Sequence, residues 1–510
     1  MTTQSGPTPA SRDVDESGLG EIARSAFSRL ETFREIERTL NLFGERFEGW
    51  SPWRVMRAPI FASVTMIGQG FSNSGQRQLG RMAEAAWATV QFLQVIVFGP
   101  RRDVLVKTCR SALRLHEGGR YRDVYFDGLL ATGIAAFKLE EINSRAFDRQ
   151  ASNALFPADL NPIVFTFWGR IFGTLFPAIS VDAFAAFVVR ALETNLGLAV
   201  TAKALRMRVS TVKWQARLYR LLLWRIRPRV VLVSDSAEFG LRIACEKAGI
   251  CFIELQHGVF DAAHPDAVPG NVTGSKSALL LPDMLASRGS FWIEQLVGTR
   301  QHEAAQAVGN EMVDRAIAVR ALRASTTALH IVFSSQGVDT DRAAAWLSAV
   351  ANNNDSGDWR MTIKLHPGYD AETRSYDRLT DDPRITIIAG SIEPNVFDLL
   401  AGADLHLSIS SACLFDAAAI GVRSAIIPLH SHERLLYAVD DDAIHLLHEP
   451  AEVWRLITLP PLNSGACRRF SEPGFLESLA TAIAPVPGDT VYQHCIPGAG
   501  GVRDGEQRRQ

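Results

Sequence analysis

Short apolar runs alternate with amphipathic stretches through the second half of the chain. The runs ALHIVFSS, WRMTIKLHP, RITIIAG, LHLSIS and SAIIPL read as strands, and helical or turn segments at Arg342–Ala351, Val396–Leu400 and Ala412–Ile420 fall between them. Alternation of this kind predicts a doubly wound parallel sheet covered on both faces. The first half holds one clear unit of the same type, RPRVVLVSDSAEFGLRIACEKAGICFIELQHGV. Val230–Val233 forms a buried strand pattern, Ala237–Lys247 a helical one, Gly249 is placed as a C-cap, and Cys251–Leu255 resumes a strand. A right-handed βαβ crossover is expected there.

Upstream the periodicity is helical. Ile22–Leu42 leads into a Trp-rich turn, EGWSPWRVMR, then into further helix to about Phe92, after which QVIVFG and DVLVKTC read as the first strands. The long stretch Val181–Trp224 is helical in pattern and is expected to pack over the sheet or form an insertion. The Phe-rich segment NPIVFTFWGRIFGTLFPAISVDAFAAFVV, broken only by Arg170 and Asp182, reads as a buried strand running into a core helix. An interfacial element is the alternative, but the arginine-rich polar face of such a helix is missing.

These readings divide the chain into a tail (residues 1–20), a helical N-terminal extension (21–92), an N-terminal Rossmann-like domain with a helical insertion (93–310), a C-terminal Rossmann-like domain (311–484) and a second tail (485–510). The tails are rich in Gly, Pro, Ser and charge. The two halves join near Gln295–Ala328, and 510 residues is too many for one core.

Composition narrows the function only slightly. With 47% apolar and 21% charged residues the chain is ordinary globular protein, and a formal net charge of -2 offers no general attraction for nucleic acid or an anionic surface. Any anion site must be local. Six cysteines, at 109, 245, 251, 413, 467 and 495, show no CxxC pair or metal-ligand spacing, so reduced thiols are expected. The polar start MTTQSGPTPASRDVDESG lacks the build of a secretory signal, and no spanning run is present, so a cytoplasmic location is expected.

Three strand ends carry polar groups able to meet a phosphate, and ligands of open parallel sheets bind outside such carboxyl ends. In MTIKLHP, alternation puts Lys364 and His366 on one face, and Pro367 stops the hydrogen-bond ladder beyond them. In LHLSISSACLFDAAAIG, Ser410 and Ser411 stand where a strand passes into an Ala-rich helix, a place for capping or for an anion. Asp416 lies farther along that helix as a ribose-hydroxyl acceptor or an ordinary surface acid. In ELQHGV, Gln256, His257 and Gly258 end another strand, where a histidine suits acid–base work and glycine a sharp turn. FSSQG, with Ser335 and Gly337, is a fourth small-residue strand end.

Taken together, RPRVVLVSD, ELQHGV, LLLPDMLASRG, AVGN, KLHP and SISSACLFDAAAIG, spread over about Pro228–Leu429, resemble bacterial glycosyltransferases of the GT-B architecture. That group builds capsular and other surface polysaccharides and includes relatives of sialyl- and Kdo-transferases. The resemblance implies an α/β fold of two Rossmann-like doubly wound domains facing across a cleft. It implies a sugar moved from a nucleotide-activated donor to a surface polysaccharide or lipid-linked glycan, at the inner face of the plasma membrane with peripheral contact. By this likeness His366, Ser410 and Ser411 meet the donor phosphate with Lys364 in support, and Ser335, Gly337 and Asp416 belong to the donor site. His257 is catalytic or acceptor-side, with Gln256, Gly258 and Asp127 on the cleft. Asp127-Gly128 and Glu117-Gly118 only approximate the acidic element that supplies the base in sialyltransferase-like members.

No bound cofactor is expected, only a nucleotide-sugar co-substrate, with a CMP or CDP carrier favoured. No DxD-type element ends a strand, so a metal-independent mechanism is expected. A second resemblance is to CDP-glycerol glycerophosphotransferases of teichoic-acid synthesis, although QHG replaces their WHG and Ser408 stands where they favour aspartate. A catalytically inactive relative serving as a binding or assembly subunit is the third reading.

Overall fold

The computed structural model describes residues 29–65, 77–108, 115–140, 154–234, 237–323, 328–354, 357–366, 374–390, 393–440 and 442–484. Two six-stranded sheets, each wholly parallel, organise the chain. The first contains β1 (Val104–Thr108), β4 (Ala136–Glu140), β5 (Val230–Val233), β6 (Cys251–Leu255), β7 (Met284–Ser287) and β8 (Ala305–Ala307), in the order β4-β1-β5-β6-β7-β8. A small antiparallel hairpin, β2 (Leu115–Glu117) and β3 (Arg120–Arg122), stands apart from it. The second sheet contains β9 (Leu329–Ser334), β10 (Trp359–Lys364), β11 (Ile385–Ile388), β12 (Leu405–Ser408), β13 (Arg423–Ile426) and β14 (Ile444–Leu446), in the order β11-β10-β9-β12-β13-β14.

The two doubly wound Rossmann-like sheets expected from the alternation are therefore present. In each sheet the strand order reverses once, between β1 and β5 in the first and between β9 and β12 in the second. Helices covering opposite faces diverge at such a point and leave a crevice at the carboxyl ends. β5 and β9 are almost wholly buried because both faces are covered, which is why they read as continuous apolar runs rather than alternating ones.

Three local expectations change. QVIVFG is the last part of a helix, Arg77–Phe98, not a strand. A brief apolar run cannot be told from a helix end by periodicity alone. The Phe-rich segment forms a helix, Ile163–Leu175, followed after a bend by Asp182–Leu196, with no strand in it. No helix among the described residues is long and apolar enough to span a membrane alone, although this pair, bent by 80°, passes the test jointly. Third, Cys251 is disulfide-bonded while Cys245, Cys413 and Cys467 are free, so the expectation of reduced thiols fails at Cys251.

Two parts of the chain pack away from their expected units. Helices 29–39 and Pro52–Thr65 do not stand alone as an extension: Phe33, Trp53 and Met56 share a core with Val188, Val209 and Leu279 of the first domain. The last described helix, Phe475–Ile483, follows the second sheet in sequence but buries Phe475, Leu479 and Ile483 among Val104, Val106 and Leu232 under the first. Asp314 holds its start by accepting hydrogen bonds from the Phe475 and Gly474 amides.

Candidate functional site

The reversal in the second sheet brings two of the sequence motifs together. β9 ends in FSSQG and β12 in SISS, and the strands are neighbours. The Ser410 hydroxyl donates to Gln336 Oε1 at 2.7 Å, and Ser408 Oγ donates to the Ser334 carbonyl at 2.7 Å, so the two loops are laced across the crevice. Ser410 stays half-exposed, whereas Ser411 is buried and accepts from the Cys413 amide at 3.2 Å, just before the helix Cys413–Ile420. Of the pair, Ser410 faces the crevice and Ser411 serves the backbone.

β10 lies on the other side of β9 and ends in Lys364. The side chain is buried, and Nζ donates to the Ala389 carbonyl at 2.9 Å. Burial lowers its pKa to about 8, partly offset by the negative field of Asp398. Desolvation disfavours the ammonium form, so an anion placed nearby would restore it. His366, two residues on, is half-buried just beyond the strand. Ser335 is buried, with its hydroxyl on Tyr376 Oη at 3.0 Å and its amide on the Lys364 carbonyl at 2.9 Å. It braces β9 against β10. Gly337 turns the loop at φ 67°, a conformation that penalises a side chain.

On the first sheet, β6 ends in Gln256 and His257. Gln256 is buried and hydrogen-bonded through both amide atoms: Oε1 accepts from Ser287 Oγ at 2.9 Å and from the Arg288 amide at 3.1 Å, while Nε2 donates to the Gly258 carbonyl at 3.0 Å. It ties the ends of β6 and β7 together and so aims the residue after it. His257 is half-buried, with Nδ1 enclosed and lacking a hydrogen-bond partner, and the chain turns at Gly258 with φ 64°. Its ring lies edge-on to His264, 6.4 Å between centroids, and His264 stacks on Phe260 at 4.2 Å. Burial depresses His264 to a pKa of about 4, so it is neutral near pH 7.

The N-terminal helices hold this loop from behind. Arg34 donates to the Ala262 carbonyl at 2.8 Å, Arg57 to the Pro265 carbonyl, and Arg54 lies 3.5 Å from Asp266. Glu37 in turn fixes Arg57 at 2.5 Å and the Trp53 indole at 2.7 Å. The WSPWRVMR motif thus acts through carbonyls and carboxylates of the loop that follows His257.

Phe291 and Trp292 of the first domain pack on Phe415 of the second, and polar contacts between the domains stand beside them. Arg288 Nη1, just past β7, meets Asp416 Oδ1 on the helix Cys413–Ile420 at 2.6 Å, and both side chains are about nine-tenths buried. Burial raises the Asp416 carboxyl above its ordinary range and Arg288 pulls it back. Farther out, Asp261 hydrogen-bonds Tyr437 of the second domain, and burial together with that carboxyl pushes the phenol up. At the carboxyl ends of β6 and β7 a cavity of about 20 Å³, room for little more than one water, is bordered by Tyr125, Gln256, Arg288 and Glu311.

Two expected residues occupy other roles. Asp416 is not an open ribose acceptor, because its carboxylate is spent on Arg288. Asp127 is not on the cleft: it is wholly buried, pairs with Lys138 Nζ at 2.6 Å, and accepts from the Asp123 amide at 2.9 Å. The resemblance places it on the cleft, and its cation, eleven residues away on β4, leaves no local sign of the buried pair. Residues missed by the sequence reading are Gln336, Asp261, His264, Arg288 and Tyr437. Gln336 and Arg288 lie within the motifs FSSQG and LLLPDMLASRG, and Asp261 lies just after ELQHGV; His264 and Tyr437 carry no local signal, since their meaning comes from contacts across the fold.

No protein-family profile matches the chain, and no curated protein does. Among solved structures it is similar to a UDP-GlcNAc 2-epimerase from Methanocaldococcus jannaschii (12% identity over 74% of this chain and 98% of that one, TM-score 0.40). It is similar also to MurG of Acinetobacter baumannii (11%, 75% and 99%, TM-score 0.42) and to the wall teichoic acid polymerase TagF (10%, 78% and 92%, TM-score 0.36).

Proposed function

We propose that the chain is a glycosyltransferase that moves a sugar from a nucleotide-activated donor to a surface polysaccharide or lipid-linked glycan. The observation that carries the reading is the crevice at the reversal between β9 and β12, where Ser410 and Gln336 meet beside the end of β10 with Lys364 and His366. A diphosphate or monophosphate carrier fits the chemistry of that place: a hydroxyl, a helix start and a buried amine whose cationic form gains most from a neighbouring anion. As the glycosidic bond to the carrier breaks, negative charge grows on the leaving phosphate oxygen. Groups already in position stabilise that charge without reorganising. Lys364, His366 and Ser410 are assigned to it.

His257 is assigned to the acceptor side. It stands on the first domain, turned by Gly258 and steadied by Gln256, with one ring nitrogen enclosed and the ring half-buried. Such a histidine can take the proton of an acceptor hydroxyl as it attacks the anomeric carbon. The cytidine carriers CMP and CDP remain the favoured donors on the strength of the sequence resemblance. The test is a thermal-shift and calorimetric comparison of CMP, CDP, UDP and GDP on the full chain. Stabilisation by one carrier, lost in Ser410→Ala and His366→Ala, is expected. Absence of any nucleotide effect at millimolar concentration would refute the reading.

A further inference from the structure

Among the described residues, helix Arg77–Phe98 leaves one long face unpaired. Its inward residues, Ala85, Ala88 and Phe92, are buried, with Phe92 edge-on to Phe165 at 5.4 Å and Trp168 Nε1 donating to Thr89 Oγ1 at 2.9 Å. Those two contacts set the helix antiparallel to Ile163–Leu175. The outward positions Met82, Trp87, Val90, Leu93, Val97 and Phe98 are all exposed, Phe98 by 81%. With Ala83 and Ala86, also exposed, they leave Gln94 as the one polar residue on that face. An uncharged apolar face of this length is not expected to remain in water.

The end of this face meets a second helix, Ala202–Ile226. Arg225 Nη2 donates to the Val97 carbonyl at 3.4 Å and the Arg102 amide to the Ile226 carbonyl at 3.0 Å, which brings Trp224, 64% exposed, and Leu221 beside it. The same corner is basic. Helix Ala202–Ile226 contains no Asp or Glu, and Arg101, Arg220 and Arg227 are exposed there with no carboxylate partner among the described residues. Of the nearby acids, Asp103 is matched by Arg229 at 3.4 Å, and Asp159 accepts from the Lys138 amide at 2.7 Å and lies in the field of Arg102.

We propose that this face docks on an anionic phospholipid bilayer, with Trp224, Phe98, Val97 and Leu93 entering the headgroup boundary and Arg101, Arg220 and Arg227 meeting lipid phosphates. Aromatic and aliphatic side chains bordered by unpaired cations match the chemistry of that interface. A second copy is the poorer occupant. Two-fold pairing would set this cationic corner against itself, its nearby acids being already engaged within the chain. The surface lies on the first domain, outside the crevice, so it goes beyond the transfer reading and is tested without any nucleotide.

The experiment is co-sedimentation of the full chain with vesicles of phosphatidylcholine alone or with 30 mol% phosphatidylglycerol (on the order of a natural anionic fraction), at low and high salt. Wild type is expected to bind the anionic vesicles and to release with salt. Phe98→Glu/Trp224→Glu should weaken binding about tenfold or more on both lipids. Arg101→Gln/Arg220→Gln/Arg227→Gln should remove the anionic preference, with circular dichroism confirming that both variants remain folded. No binding by wild type, or equal binding by wild type and both folded variants, overturns the proposal. A wild-type dimer in light scattering that the Phe98/Trp224 variant breaks, without vesicle binding, overturns it in favour of self-association.

Discussion

Replacing Asp416 by alanine separates a structural carboxylate from a ligand-binding one. In the wild type Asp416 Oδ1 sits 2.6 Å from Arg288 Nη1, with side-chain exposures of 8% and 11%. Solvent screening at that depth is slight, so removing the carboxylate leaves a guanidinium buried between two domains with nothing to neutralise it. Breaking a buried pair in this way costs about 3–5 kcal/mol. At roughly 2–4 °C per kcal/mol for a domain of this size, the midpoint of thermal unfolding should fall by roughly 6–20 °C. The companion double variant, Arg288→Met/Asp416→Leu, removes both charges and should return to within about 1–2 kcal/mol of the wild type, since an apolar pair of similar volume can replace a buried ion pair without loss. Calorimetry of the single and double variants measures both outcomes, and nucleotide titration of the single variant completes the set. The reasoning is refuted if Asp416→Ala melts within about 2 °C of wild type while losing nucleotide affinity, for the carboxylate would then belong to a bound ribose rather than to Arg288.

The other predictions concern the crevice. Ser410→Ala should weaken nucleotide binding about tenfold, because a hydrogen bond to a charged group contributes about 1.5–3 kcal/mol, whereas Ser411→Ala should act mainly on stability; equal dissociation constants for wild type and Ser410→Ala would leave both serines as loop braces. His366→Ala should lower nucleotide affinity and turnover together, while His257→Ala should keep affinity and lose about 10²–10⁴ in turnover; equal loss of affinity in both variants would defeat the separation of roles. Lys364 gives two opposite pH effects. Its folded pKa, about 8, lies below the usual 10.5, so the unfolded chain binds the extra proton and stability should rise as pH goes from about 8 to 10.5. Nucleotide binding needs the cation and should weaken over the same range; Lys364→Met should abolish both trends, and a flat affinity from pH 7 to 10 in the wild type would remove Lys364 from the donor site.

The chain's own pattern determined the second domain almost completely. Its strands are short, apolar and separated by helical segments, so local propensity, spacing and burial agree, and parallel crossovers leave few topologies to choose from. The same logic put Ser410, Lys364, His366 and His257 at the carboxyl ends of buried strands, because such an end is visible wherever an apolar run stops at small or polar residues. What the pattern left undecided was every feature made by residues distant in sequence. QVIVFG is apolar enough for a strand, and it is a helix end because Phe92 and Thr89 pack against Phe165 and Trp168, some seventy residues later. Asp127 is expected on the cleft and Asp416 at the donor site or the surface, but the fold brings Lys138 and Arg288 to them and closes off the water. The helix Phe475–Ile483 follows the second sheet in sequence, yet its apolar face finds its match beneath the first, because burial rewards the nearest complementary surface in space and takes no account of position along the chain.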